Sequence, residues 1–240
     1  MKINVLFTHN SVDEFYFNEK TTVVIDVLRA TTVINTALFN GAKEIIPVSS
    51  VDFAMKVSGG VFGGLTLLCG ERNTKKIEGF DLGNSPFEYS PDVVKNKSIV
   101  LFTTNGSKAI VKAKYSENVV TCCFNNLEAI KNYLLATNKD IEVVCSGNNG
   151  HFSLEDLVCA GKLVSGLTES IEDAILSDSA SVSMVLAKSY GKNLKKLLHS
   201  TEHGKVLKEN GYEADLDYCA KLNSVPIISH FSSGVIKRLN

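Results

Sequence analysis

No run of 18 consecutive apolar residues occurs in the chain, so no segment is expected to cross a bilayer as a helix. An excess of charge is also missing. The 25 Lys and Arg against 26 Asp and Glu leave a net charge of −1, which offers no footprint for nucleic acid or an anionic membrane. The amino end lacks the long apolar stretch of a secretory signal, and residues 1–7 read instead as a short first strand. No segment is low in complexity, and none has the composition of a linker. The six cysteines (69, 122, 123, 145, 159 and 219) show no metal-type spacing and sit in apolar runs or expected helices. They fit reduced, buried thiols in a cytoplasmic protein. What is present is 240 residues, 44% of them hydrophobic, enough to bury a substantial core.

Apolar, β-branched runs alternate with helical stretches. Strands are expected at 22–27, 44–48, 65–69, 98–102, 118–122 and 142–145. Helices are expected between them at 31–40, 51–57, 107–114 and 126–138. Such alternation predicts an α/β, three-layer fold around a mostly parallel, mixed sheet. Beyond Ser153 the pattern turns helical, at 154–168, 181–190, 194–198, 202–209 and 216–221, before a strand-like 225–228. A shift of about 75 residues lays Ile45-Ile46 near Val119-Val120 and Leu68-Cys69-Gly70 near Val144-Cys145-Ser146. Two βαβ-type halves at 20–95 and 96–170, related by duplication, would produce this within a single domain over 1–240. Ordinary α/β spacing would produce it too.

In open α/β sheets ligands bind beyond the carboxyl ends of strands, and here those ends are polar. Asp26 closes an apolar strand three residues before Arg29, an expensive place for an acid unless it is paired or metal-bound. The bland alternative is a structural Asp26–Arg29 pair. Gly70-Glu71-Arg72 leads to Gly79-Phe80-Asp81-Leu82-Gly83-Asn84-Ser85-Pro86, which reads as an anion nest or as plain turn chemistry. Thr103-Thr104-Asn105-Gly106-Ser107 opens a helix, whose amides suit phosphate, although capping alone explains those residue types. Ser146-Gly147-Asn148-Asn149-Gly150-His151 precedes Ser153-Leu154-Glu155-Asp156, an N-cap with acids in the first turn. Taken together, the carboxylates Asp26, Glu71, Asp81, Glu155 and Asp156 suit a hard cation such as Mg²⁺, while Arg29 and Arg72 suit a phosphate. Phosphoryl transfer needs that combination.

Asp26-Val27-Leu28-Arg29-Ala30-Thr31-Thr32, Gly70-Glu71-Arg72, the 79–86 segment, Thr103-Thr104-Asn105-Gly106 and Ser146-Gly147-Asn148 with Glu155-Asp156 together resemble the 2-phosphosulfolactate phosphatase (ComB) family. Further likeness lies at Cys159-Ala160-Gly161, Asp217-Tyr218-Cys219 and Val225-Pro226, so the resemblance runs the length of the chain. It implies a Mg²⁺-dependent phosphoric monoester hydrolase that converts (2R)-2-phospho-3-sulfolactate to 3-sulfolactate and phosphate, a step of coenzyme M biosynthesis in methanogens. On that resemblance Asp26, Arg29, Arg72 and Asp81 are the catalytic candidates. Asp26, Glu71, Asp81, Glu155 and Asp156 are the metal candidates. Asn84, Ser85, Thr104, Asn105, Ser107, Ser146, Gly147, Asn148 and His151 are the substrate-binding candidates. Asp26 would ligate the metal or attack phosphorus itself. His151 departs from the basic residue, such as Arg, expected there.

Other readings use the same loops. A haloacid-dehalogenase-type phosphatase needs a second acid two residues after the first, and here that position is Leu28. A cysteine phosphatase needs Arg six positions after its Cys, and Cys145 meets His151 instead. A phosphatase for a different small phosphorylated acid is an alternative. So is a non-catalytic binding protein for a phosphorylated metabolite, although five acids beside anion loops would repel such a ligand without a cation. The expected partner is a small anionic molecule. The helical last third is expected to cover the sheet, close the site or make a homodimer.

Overall fold

The computed structural model describes residues 1–60 and 66–239, so residue 65 of the expected third strand lies outside the described residues. In chain order the elements are β1 (Lys2–Leu6), β2 (Thr21–Ile25), α1 (Ala30–Phe39), β3 (Glu44–Val48), α2 (Val51–Gly60), β4 (Thr66–Arg72) and the two-residue β5 (Lys75–Lys76). Next come α3 (Pro91–Val94), β6 (Ser98–Phe102), α4 (Gly106–Lys112), β7 (Asn118–Cys122), α5 (Leu127–Thr137) and β8 (Ile141–Cys145). The last third holds α6 (Leu154–Thr168), β9 (Ile175–Leu176), α7 (Asp178–Tyr190), α8 (Leu194–Ser200), α9 (Glu202–Glu209), α10 (Glu213–Cys219), β10 (Ile228–Ser232) and β11 (Val235–Leu239).

The described strands form one mixed sheet in the order β5-β4-β6-β3-β11-β10-β7-β2-β8-β1-β9. Within it β4-β6-β3 and β7-β2-β8 are parallel triplets. Each of the segments 20–95 and 96–170 lends its first strand to the other's triplet. The registers correspond. Phe102 sits between Val48 and Gly70, as Ile25 sits between Cys122 and Cys145.

Strands covered on both faces read as unbroken apolar runs, and all five residues of β2, β6 and β8 are buried. Side chains alternate across β2, so Val23 and Ile25 face a core with α5–α10, while Val24 faces a second core with α1 and α4. Helices on both faces make the three layers.

The expected strand at 225–228 ends where a strand begins, since β10 starts at Ile228 and pairs with β11 around Ser233-Gly234. Both turn residues have positive φ, at 52° and 82°, as a two-residue hairpin turn requires. This hairpin is antiparallel to β7 and β3 and joins the two triplets. The last helix, expected at 216–221, occupies Glu213–Cys219.

Candidate active site

Four strand ends converge. Asp26 follows β2, Glu71 ends β4, Thr103–Asn105 follow β6 and Ser146 follows β8. The first three meet in a cleft of about 20 Å³ lined by Asp26, Leu28, Arg29, Glu71, Thr74, Asn84, Thr103 and Asn105, with His203 from α9, and Ser146 reaches it through its hydrogen bond to Asp26. Larger grooves exist, one of about 790 Å³ between α5, α6 and α7 and one of about 620 Å³ at the amino ends of β1 and β8. Neither gathers buried acids, so chemistry rather than volume marks the site.

The Ala30 amide at the start of α1 donates to Asp26 Oδ1 at 3.0 Å. Gly106, first residue of α4, closes over Oδ2. A Cβ there would collide with Asp26 Oδ2 and Ala30 Cβ, so glycine is what lets two helix starts flank one carboxylate. Glu71 is held from three sides, by the Thr104 amide at 2.7 Å, the Thr104 hydroxyl at 3.2 Å and the Thr74 amide at 2.9 Å. Gly70 before it has φ +145°, and a Cβ would strike the Phe102 carbonyl, so the end of β4 lies tight on β6. Asp156 Oδ1 accepts from the Val27 amide at 2.9 Å, and its Oδ2 accepts from the Ser146 hydroxyl at 3.1 Å and the Gly147 amide at 3.3 Å.

Burial dominates the electrostatics. It pushes the Asp26 carboxyl up to about 6; the Ala30 amide and Ser146 hydroxyl pull down, Glu71 pushes up, and Arg29 pulls down. Burial also raises Glu155, against hydrogen bonds that include the Ser153 and Thr201 hydroxyls. Asp156 stands well above the usual carboxylate range, through burial first and then the charges of Asp26 and Glu155. His203, its Nδ1 3.9 Å from Glu155 Oε1, is lowered to about 4 by burial and then by Arg29, which leaves it neutral near pH 7. Four buried acids, Asp26, Glu71, Glu155 and Asp156, with one nearby guanidinium are short of positive charge. Asn84 Oδ1, buried in the cleft wall, also lacks a hydrogen-bond partner among the described residues. This donor set is all hard oxygen and fits a cation such as Mg²⁺. Among the described residues no three acid, His or Cys side chains are gathered as a metal cage.

Asp26, Arg29, Glu71, Asn84 and Asn105 line the cleft; Thr104 holds Glu71. Ser146 and Gly147 hold Asp156, while Glu155 lines the neighbouring groove. Asn148 and His151 line that groove, which has about 570 Å³ and also shares His203. The Ser85 hydroxyl donates to Asp215 at 2.7 Å. Three candidates lie elsewhere. Asp81 is exposed and accepts from the Leu68 amide at 2.8 Å; Arg72 is exposed beside Lys75; the buried Ser107 hydroxyl donates to the Val48 carbonyl at 2.8 Å. His203 and Thr74 join the cleft without having been singled out from the sequence, where only the polar Glu202-His203-Gly204 offered a cue, while Thr103 comes from the quoted 103–107 motif without having been named a binding candidate. Burial also keeps the Cys145 thiol well above its ordinary value, which removes the thiolate that a cysteine phosphatase would need.

The chain is similar to known proteins over nearly its whole length. The family model of 2-phosphosulpholactate phosphatase matches residues 6–234. A probable 2-phosphosulfolactate phosphatase of Caldanaerobacter subterraneus subsp. tengcongensis is 42% identical over 230 residues, covering 96% of this chain and 95% of the relative. Proteins of the same description from Clostridium novyi (strain NT) and Clostridium perfringens (strain 13) are 40% and 38% identical, over 96% and 99% of this chain and 97% and 96% of theirs. With its length matched, and the family's motifs gathered at the strand ends, the chain belongs to the 2-phosphosulpholactate phosphatase family.

Proposed function

We propose that the protein is a Mg²⁺-dependent phosphatase that hydrolyses (2R)-2-phospho-3-sulfolactate to 3-sulfolactate and phosphate. The observation that carries this is the buried Asp26, raised to about 6 and set against Glu71 and Arg29 in one cleft. A group so placed is stabilised as a carboxylate only when more positive charge arrives. Asp26 and Glu71, which both line the cleft, would hold the cation with the Asn84 carboxamide oxygen as a neutral donor, while Glu155 and Asp156 would add negative charge behind them. When bound, the cation would neutralise phosphoryl oxygens and favour attack by water. Arg29 would take phosphoryl oxygens through its free N–H groups, and the Asn105 side chain would add a neutral contact. Neutral His203 brings one N–H and one lone pair to the cleft, suited to holding a proton near the departing alkoxide. Water's oxygen ends on phosphorus, the ester P–O bond breaks, and the alkoxide takes the proton.

The cleft of about 20 Å³ accommodates little beyond the reacting group, so the remainder of the substrate would extend into the adjoining groove of about 570 Å³. That division also admits another small phosphorylated acid. Phosphate release from 2-phosphosulfolactate, phosphoglycolate and phospholactate, each with Mg²⁺ and with chelator, tests both points. Turnover of the first that needs the cation is expected. Equal turnover of all three would move the substrate to the broader class, and turnover that survives stringent chelation would remove the cation from the reaction. Tight binding of all three with no release would indicate a binding protein instead.

A further inference from the structure

The helical C-terminal third reaches the cleft through α10, at the one buried arginine of the site. We infer that Asp215 and Tyr212 are positioning residues that aim the guanidinium of Arg29 at the phosphoryl group. This rests on the reading that the cleft takes such a group.

Arg29 is only 2% exposed, and so is Asp215. Arg29 Nη1 donates to Asp215 Oδ2 at 2.7 Å, and Nη2 donates to the Thr74 carbonyl at 2.9 Å. The guanidinium carbon lies 4.2 Å from the Tyr212 ring centroid, so one face is covered by an aromatic ring. Each anchor is itself fixed. Asp215 Oδ1 accepts from the Ser85 hydroxyl at 2.7 Å, which occupies the second carboxylate oxygen. Thr74 has φ +70° after Asn73 at +52°, a left-handed pair in which the Thr74 amide donates to Glu71 at 2.9 Å. The guanidinium is therefore held in its plane and across one face by two separate segments of chain, the turn at Thr74 and the start of α10 at Tyr212–Asp215.

Two facts separate aiming from mere stabilisation. A buried ion pair contributes little net stability, because desolvating two charges offsets their attraction, so stability alone is a weak reason for this pair. Further, a guanidinium has five N–H donors. Two find acceptors among the described residues, which leaves three for the cleft that Arg29 lines. An anion with several oxygens in that cleft would satisfy them.

The test uses the full chain with Mg²⁺ and inorganic phosphate as the probe, followed by calorimetry. Steady-state kinetics on 2-phosphosulfolactate and thermal midpoints run alongside. Asp215→Asn and Tyr212→Leu should each weaken phosphate binding and lower kcat/KM by about tenfold, while Tyr212→Phe, which keeps the ring, should restore both. A role confined to stability would lower the thermal midpoint and leave phosphate affinity and KM as in the parent. That result in both Tyr212→Leu and Asp215→Asn would overturn the inference. Should Asp215→Asn fail to fold, the Tyr212 pair decides alone. A parent protein that binds phosphate through this clamp yet leaves 2-phosphosulfolactate intact would sink the substrate reading and not the clamp.

Discussion

Burial lifts the Asp26 carboxyl from its ordinary 3.8 to about 6, and the sign of the consequence follows from proton binding. Between those values the folded protein holds a proton that the unfolded chain has lost, so this residue's contribution to stability falls as pH rises through the window. Asp26→Asn keeps an oxygen for the Ala30 amide and removes the charge. In metal-free protein its stability relative to the parent should be near zero at about pH 4. It should grow to roughly 2–3 kcal/mol above about pH 6.5, at about 1.4 kcal/mol per pK unit. His203, lowered to about 4, acts oppositely, but it is common to both proteins and cancels in the difference. A flat difference across the range would show that the charge is not penalised. The same variant should lose at least about a thousandfold in kcat, since it removes the charge of a buried acid that lines the cleft with Arg29 and Glu71. Glu155 is raised from its ordinary value and Asp156 well above it, so a cation bound beside them would compete with protons. Calorimetry of Mg²⁺ binding near pH 7 in two buffers of different ionisation enthalpy should show about one proton released per cation. Identical heats in both would mean that the acids are already ionised.

The β10–β11 hairpin has a larger structural role than its short, mixed sequence signals. Asn35 of α1 is fully buried, and its Oδ1 accepts from Thr121 of β7 at 2.9 Å and from Ser229 of β10 at 2.6 Å. One amide oxygen thus ties a helix, a triplet strand and the hairpin together. Asn35→Leu leaves two buried hydroxyls without an acceptor and should cost about 2–4 kcal/mol in denaturant unfolding. A loss below about 1 kcal/mol would show that the hairpin is held by its ladder alone. The Ser233-Gly234 turn and the strand after it went unread beside the expected strand at 225–228, and no local signal tells that this hairpin joins two parallel triplets. Strand alternation accounts for another unevenness. Glu71 and Arg72 are neighbours in β4, and the pleat sends the glutamate into the site and the arginine to the surface.

Across the whole molecule, the thiols show how an apolar interior treats reactive groups. All six cysteines are buried and free, and burial holds Cys69 up at about 12 and Cys123 at about 11. Excess iodoacetamide at neutral pH should leave activity of the native protein within about twofold, and Cys145→Ala should remain active. Rapid inactivation at Cys145 would revive a thiol mechanism. Among the described residues no helix is long and apolar enough to cross a membrane, as the lack of long apolar runs led one to expect. The amino-acid pattern by itself determined the alternation of strand and helix, the polar strand ends and most of the acids, because hydrophobic periodicity and turn chemistry are local. Which charges meet was decided by tertiary structure alone. Asp215 lies 186 residues from Arg29, and His203 reaches Glu155 from another helix. Helical periodicity marks the buried face of α9 or α10 but not what that face meets, since chain distance carries no information about the partner once the sheet has folded between them.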